Sequence, residues 1–292
     1  MSARPIRWSL RVILLLLATL ASGCGGGVPI HVEPIRLVSS DTSPAWSPDG
    51  THIAYLHYAS ESVYGVWLVD TAGAAPHQIL PGARMYLDWS PDGTQLAFGA
   101  GGIFSVHVSG GPPRAIVAHG SVPRWSPGGN ELAFQSFDTT GVGSIELVAQ
   151  DGSGLRVLAP PDTESWSEPD WSPDGTRLVH IRRLGPYGQS DLFVMDTTGH
   201  AAVRLTSDGQ EDRGPVWSPD GQWIAWSVGT FAPTNDLWIM RSDGTGARML
   251  TTGGDLSWSP DSRQIVYTVL QFNIIRLFVI DIATGRIRQI TR

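Results

Sequence analysis

The chain has no lysine, a single cysteine and no apolar run long enough to cross a bilayer. All twenty basic residues are arginine, and they face 27 acids. Arg4, Arg7 and Arg11 fall in the first 23 residues, which hold no acid, so the remainder carries 17 Arg against 27 acids. An acidic surface of this kind repels phosphate backbones, and nucleic acid is excluded as an expected partner. With Cys24 as the only cysteine, an internal disulfide is excluded too. The longest apolar stretch, residues 12–20 (VILLLLATL), is less than half the roughly 20 residues that a spanning helix needs. Nor is there a G-x-S-x-G elbow, an H-E-x-x-H pair or a P-loop, so no chemistry of those three kinds is expected.

What the N-terminus does have is order: three arginines, then the apolar run, then small residues, then Cys24. That is the layout of a secretory signal, predicted here over residues 1–23. The stretch Leu20-Ala21-Ser22-Gly23-Cys24 resembles the lipobox of bacterial lipoproteins, which implies lipidation of Cys24 as the first residue of the mature chain. Lipoboxes favour Leu three places before the Cys, whereas this chain has Ala21 there and Leu20 one place earlier. Residues 24–33, beginning Cys-Gly-Gly-Gly, read as a flexible tether.

From residue 34 to 292 the sequence repeats. The pentapeptide WSPDG occurs at 46, 89, 171 and 217, with the variants WSPGG at 125 and WSPDS at 258. A period near forty marks a solenoid or a propeller, and the content of each period decides between them. After each motif comes an apolar run such as residues 95–98, then a run ending in or near an acid such as Leu192-Phe193-Val194-Met195-Asp196, then a Gly-containing turn and a strand of the type Val203-Arg204-Leu205-Thr206. With the strand that carries the Trp, each period holds four short strands and no convincing helix. The expectation is all-β: a six-bladed propeller of four-stranded antiparallel blades. In the motif, Pro presets φ, Asp caps the turn and Gly takes φ above zero, which makes a hairpin corner. Gly128 is expected to loosen the third corner, and Ser262 to strain the sixth or change its type. Trp46, Trp89, Trp125, Trp171, Trp217 and Trp258 are structural residues in this reading, expected between neighbouring blades. The segments 34–41 and 286–291 both read as outermost strands, and one of them is expected to close the ring.

This repeat resembles that of TolB-type β-propellers, with related repeats in the propeller domains of prolyl oligopeptidases and tricorn-like proteases. TolB carries an α/β domain before its propeller, and only about ten residues separate Cys24 from the first expected strand here. The resemblance therefore implies the propeller without the contact that the extra domain makes. Fold alone does not carry function.

Function is expected on the loops that do not repeat. The corner acids Asp49, Asp92, Asp174, Asp220 and Asp261 occur one per corner and read as turn caps rather than a calcium ring. The eight histidines fall at different places in their repeats, and neither a metal nor a cofactor is expected. On the face opposite the corners, four loops supply candidate partner-binding residues: Glu164, Trp166 and Glu168 in 159–170; Arg182, Arg183 and Tyr187 in 182–191; Asp212 and Arg213 in 207–215; and Phe231 in 228–236. Aromatic and arginine side chains are the anchors that interfaces favour. The expected function is a non-catalytic binding module of the bacterial envelope, monomeric, exported and held to a membrane by its N-terminal lipid alone. Its partner would be an envelope protein or a small ligand at the loop face. The alternative is a hydrolase or lyase of sugars or lactones working in the central channel, where Asp88, Arg124 and Asp170 are the polar residues on the inner strands.

Overall fold

The WSPDG corner is built by its own side chains. In the first copy the Ser47 hydroxyl donates to Asp49 (2.6 Å) and accepts from the His52 N–H (2.9 Å), while the Gly50 N–H closes the turn onto the Ser47 carbonyl. Gly50 has φ of 75°, the left-handed region that glycine enters without steric cost. At the sixth corner Ser262 keeps that backbone shape, with φ of 59°, and its hydroxyl accepts the Asp220 N–H of the preceding corner at 3.0 Å. The turn type is therefore retained, and a hydrogen bond accompanies the unfavourable φ. These contacts hold Asp49, Asp92, Asp174 and Asp261 ionised: the Ser172 hydroxyl, followed by the Thr176 N–H, pulls Asp174 down to about 2.

The computed structural model describes residues 39–60, 63–82, 85–159, 165–183, 189–200, 202–229 and 234–292. Among these, 24 strands follow one another in six groups of four, and no helix long and apolar enough to cross a membrane is present. The all-β propeller is confirmed, but its sheets depart from the expected six. Four four-stranded sheets stand as separate blades, spanning residues 85–117, 121–159, 165–204 and 212–252. The first and last groups share one eight-stranded sheet. The cause is a parallel pairing of Ser39 with Ile274 and Ser40 with Ile275. Ile287–Gln289 covers only residues 278–280 of the same strand, which leaves its start free for the long first strand, Ser39–Trp46. Of the two closing candidates, 286–291 thus supplies a short antiparallel partner. The described end of 34–41 pairs with the same strand, and residues 34–38 lie outside the described residues.

The inner strand of each group carries the repeated Trp: Ser39–Trp46, Met85–Trp89, Ser121–Trp125, Ser165–Trp171, Asp212–Trp217 and Gly254–Trp258. Five of these Trp side chains are buried and Trp46 is half-buried. Each belongs to an apolar cluster shared with the group before it in the ring, as Trp125 packs with Ala97 and Ile103, and Trp46 with Val266 and Val279. Polar seams run beside these clusters. The indole N–H groups of Trp89, Trp171 and Trp258 donate to the carbonyls of Ala45, Arg124 and Val216. The backbone N–H groups of Trp46, Trp125 and Trp217 donate instead to the side chains of Ser257, Asp88 and Asp170. The two kinds of seam alternate around the ring.

Burial raises Asp88 to about 6 and Asp170 to about 7, against the pull of Arg124 and the Trp N–H groups. The folded chain therefore holds protons that the unfolded chain has released between about pH 4 and 7, and folding stability rises as pH falls through that window. The corner acids act with the opposite sign, losing their contribution as pH falls below about 4. We predict a thermal midpoint that peaks near pH 4 to 5, and a flatter decline toward pH 8 in Asp170→Asn; a midpoint that climbs steadily to pH 8 would contradict the seam. A second prediction concerns close packing between groups. A Cβ on Gly199 (φ 82°) would lie 2.2 Å from the Leu158 carbonyl oxygen, whereas one on Gly101 (φ 76°) would meet nothing within 4 Å. In thermal unfolding, Gly199→Ala should cost about 1–3 kcal/mol more than Gly101→Ala, whose cost is the backbone term alone.

Candidate functional site

Counting back from each repeated Trp sorts the inner-strand side chains into two rings. One residue back are Ala45, Asp88, Arg124, Asp170, Val216 and Ser257, and all six line a cavity of about 140 Å³. Three residues back are Ser43, Tyr86, Val122, Glu168, Gly214 and Asp255, and all six line a cavity of about 180 Å³. Arg124, Pro44, Leu87 and Leu256 line both. Every inner strand has a register break at this point, one residue longer than its partner, as between Thr42 and Ala45 or Ser167 and Asp170. At five of the six bulges the residue three before the Trp has φ between 50° and 55°, Val122 and Tyr86 included. Non-glycine residues, and β-branched ones above all, avoid that region, and such outliers concentrate at working sites.

The larger cavity mixes charges. Glu168 Oε2 accepts the Gly214 N–H at 2.5 Å, and Asp255 Oδ2 accepts the Ser43 N–H at 3.0 Å, so each acid staples its own group to the next. Burial raises both carboxyls above their ordinary range. Burial, followed by the charge of Glu168, pushes the Tyr86 phenol up to about 12. Two guanidinium groups face these acids. Arg124 Nε lies 3.4 Å from Asp170 Oδ1, and Arg213 donates from Nε to the Gly229 carbonyl at 3.2 Å. Ser227 and Asn235 complete the polar lining. Among the described residues no group of three His, Cys, Asp or Glu side chains is arranged to hold a metal ion.

Of the loop-face candidates, Glu168 and Arg213 come together here, beside Arg124. The others are placed elsewhere. Trp166 sits on an inner strand at 7% exposure, stacked on His180 at 4.9 Å and covered by the Arg182 guanidinium at 4.4 Å. His180 is fully buried, which lowers it to about 4 and keeps it neutral. Arg183 pairs with Glu211 at 2.9 Å, and Asp212 accepts hydrogen bonds from Thr206 and the Trp226 indole. Glu164, Tyr187, Phe231 and Cys24 lie outside the described residues. Sequence reasoning missed Tyr86, Ser43, Asp255 and Asn235. The first three are recoverable, because they hold the same position relative to the Trp as Glu168.

The TolB beta propeller domain family matches residues 121–292. An uncharacterized peptidase of Bacillus subtilis, YuxL, is 26% identical over 216 residues, 68% of this chain and 31% of that protein. A TolB homolog of Chlorobium luteolum is 29% identical over 204 residues, 65% of this chain and 45% of that one. The chain thus spans less than half of the length of each of these two relatives. Among solved structures, TolB of Acinetobacter baumannii aligns with a TM-score of 0.69 at 21% identity, over 82% of this chain and 63% of that one. An oligogalacturonate lyase in complex with manganese aligns with a TM-score of 0.60 at 14% identity, over 89% and 79%. At these identities the two structures speak for the fold alone. The family match covers more than half of the sequence and includes four of the six repeated Trp residues, and the chain belongs to the TolB beta propeller domain family.

Proposed function

We propose that the chain is an exported, lipid-anchored binding module of the bacterial cell envelope that receives part of a partner protein, or a small ligand, in its channel. The observation that carries this reading is how the channel's charges are employed. Glu168 and Asp255 are engaged by neighbouring backbone N–H groups, and Asp88 and Asp170 by Trp N–H groups, so the acids hold the ring together. Arg124, beside Asp170, and Arg213, beside Glu211 and bonded to the Gly229 carbonyl, line the larger cavity with planar forks of five donors each, more than these partners use and suited to grip a carboxylate or a backbone carbonyl. The signal-like N-terminus with Cys24 supports the envelope assignment, as does the likeness to a TolB homolog. The binding site moves, relative to the loop aromatics, to the channel mouth around Arg213.

A second reading, a hydrolase or lyase of sugars or lactones, draws on one feature. Asp170, raised to about 7 beside Arg124, is tuned to the range in which a carboxyl both gives and takes protons near neutrality.

Quantitative affinity capture from solubilised envelopes separates the two. Loss of a charged donor is worth about 1.5–3 kcal/mol, so Arg213→Glu should lower retention of the captured partner about tenfold or more. Arg182→Ala, which uncovers Trp166 and Phe193 away from the channel, should leave retention unchanged. Equal retention by wild type and Arg213→Glu would remove the channel as the binding site. Turnover of an oligosaccharide or lactone that disappears in Asp170→Asn would establish the enzyme instead.

A further inference from the structure

The exposed apolar side chains are distributed unevenly over the ring. Among the described residues, Leu155, Val157, Val203, Met249 and Ile287 are on or beside outer strands, at the rim. The remaining large exposed apolar side chains, Val63, Met85, Phe137 and Phe272, all lie at the end of the strands opposite the WSPDG corners. They belong to the first, second, third and sixth groups, which are consecutive around the ring. Phe272 is the extreme case. It is 98% exposed and occupies the turn between strands Gln264–Gln271 and Ile274–Asp281, with φ of 49° followed by 63° at Asn273. Turns of that shape favour Asn and Gly, so a phenylalanine there goes against local preference and buries nothing in return.

The corner end has the opposite character. Its corners and the turns that follow the third strands carry acids held ionised by local hydroxyl and N–H donors, among them Asp49, Asp174, Asp196 and Asp281. The corner end carries Arg177, Arg241, Arg263 and Arg286 among these acids, and the opposite end carries Asp138, held ionised by Thr140 beside Phe137, so it is the exposed apolar side chains rather than the charge that distinguish the two ends. The chain also enters the ring at the apolar end: Ser39 pairs with Ile274, two residues from Phe272. Fifteen residues, 24–38, separate that point from the anchoring position, a reach of at most about 50 Å when fully extended.

We propose that the Phe272 turn and the apolar arc beside it rest on the lipid bilayer to which Cys24 is anchored, with the WSPDG corners facing away. This rests on the lipid anchor of the proposed function. The ring leans on its first, second, third and sixth groups, and the polar side that carries Arg213 stays clear of the lipid. Phe, with Trp and Leu, is a side chain that interfacial segments bury at the boundary between headgroups and acyl chains.

The test uses the full chain, processed in a bacterial host and reconstituted into vesicles of phosphatidylethanolamine and phosphatidylglycerol. An environment-sensitive fluorophore is attached at Phe272→Cys or, at the opposite end, at Asp220→Cys. With Cys24 acylated, the 272 label should shift to the blue and be quenched by nitroxide lipids, and the 220 label should do neither. Both labels in water, or only the 220 label in lipid, overturns the orientation while leaving the anchor intact. A 272 label that is aqueous in vesicles yet shielded in native membranes assigns the arc to a protein partner and also overturns it. An N-terminal peptide whose mass shows no acyl chain, on protein that fails to float with the vesicles, removes the anchor and this proposal together, a failure that mass spectrometry tells apart from the others.

Discussion

The hydrogen bonds between each inner-strand Trp and the group before it set the terms for the rest of this structure. Three indoles reach back to a carbonyl, and three backbone N–H groups reach back to a side-chain oxygen. The second kind demands an acceptor one residue before the Trp in the second, fourth and sixth groups, and Asp88, Asp170 and Ser257 provide it. Two of those acceptors are carboxyls taken largely out of water beside one guanidinium, which is why they stand at about 6 and about 7 rather than near 4. The same constraint that closes the ring therefore places titrating groups in the channel, without any demand from catalysis.

The bulge just upstream shapes the channel. A regular strand would alternate faces, and one extra residue in each inner strand shifts that alternation. The outcome is two rings of side chains, one lining the smaller cavity with Asp88, Arg124 and Asp170 and the other lining the larger with Tyr86, Glu168 and Asp255 together with Arg213. Five bulges hold their lining residue at positive φ, and the cost recurs around the ring. Backbone strain at four of these positions around one cavity, Ser43, Tyr86, Val122 and Glu168, indicates that the shape of the cavity, and not only its closure, is what the inner strands maintain.

Much of this was legible in the letters. The corners, the four strands per period and the all-β architecture follow from turn chemistry and hydrophobic patterning, which are local. The merging of the first and last groups into one sheet is not, because it depends on Ser39 and Ser40 meeting Ile274 and Ile275 across more than two hundred residues. The site was half visible. Glu168 and Arg213 were singled out as loop residues, but both lie on strands, and the bulge directs Glu168 into the channel. Trp166 read as a loop anchor because Pro and acidic residues surround it, yet it begins an inner strand and lies under Arg182 and against His180. Alternation alone could not have shown either fact, since a bulge inverts the faces on one side of it. Counting from the repeated Trp would have brought Ser43, Tyr86 and Asp255 into the same ring as Glu168.

The central claim is that side-chain acceptors one residue before the Trp stitch successive groups together and so build the channel. Native-state hydrogen exchange of the backbone amides of Trp46, Trp125 and Trp217 addresses it directly. These N–H groups point away from their own sheets, and only the bonds to Ser257, Asp88 and Asp170 protect them. The account predicts protection close to that of global unfolding at all three, with Trp125 losing it selectively in Asp88→Ala. Exchange at the pace of exposed turn amides, or protection of Trp125 that survives Asp88→Ala, would contradict it.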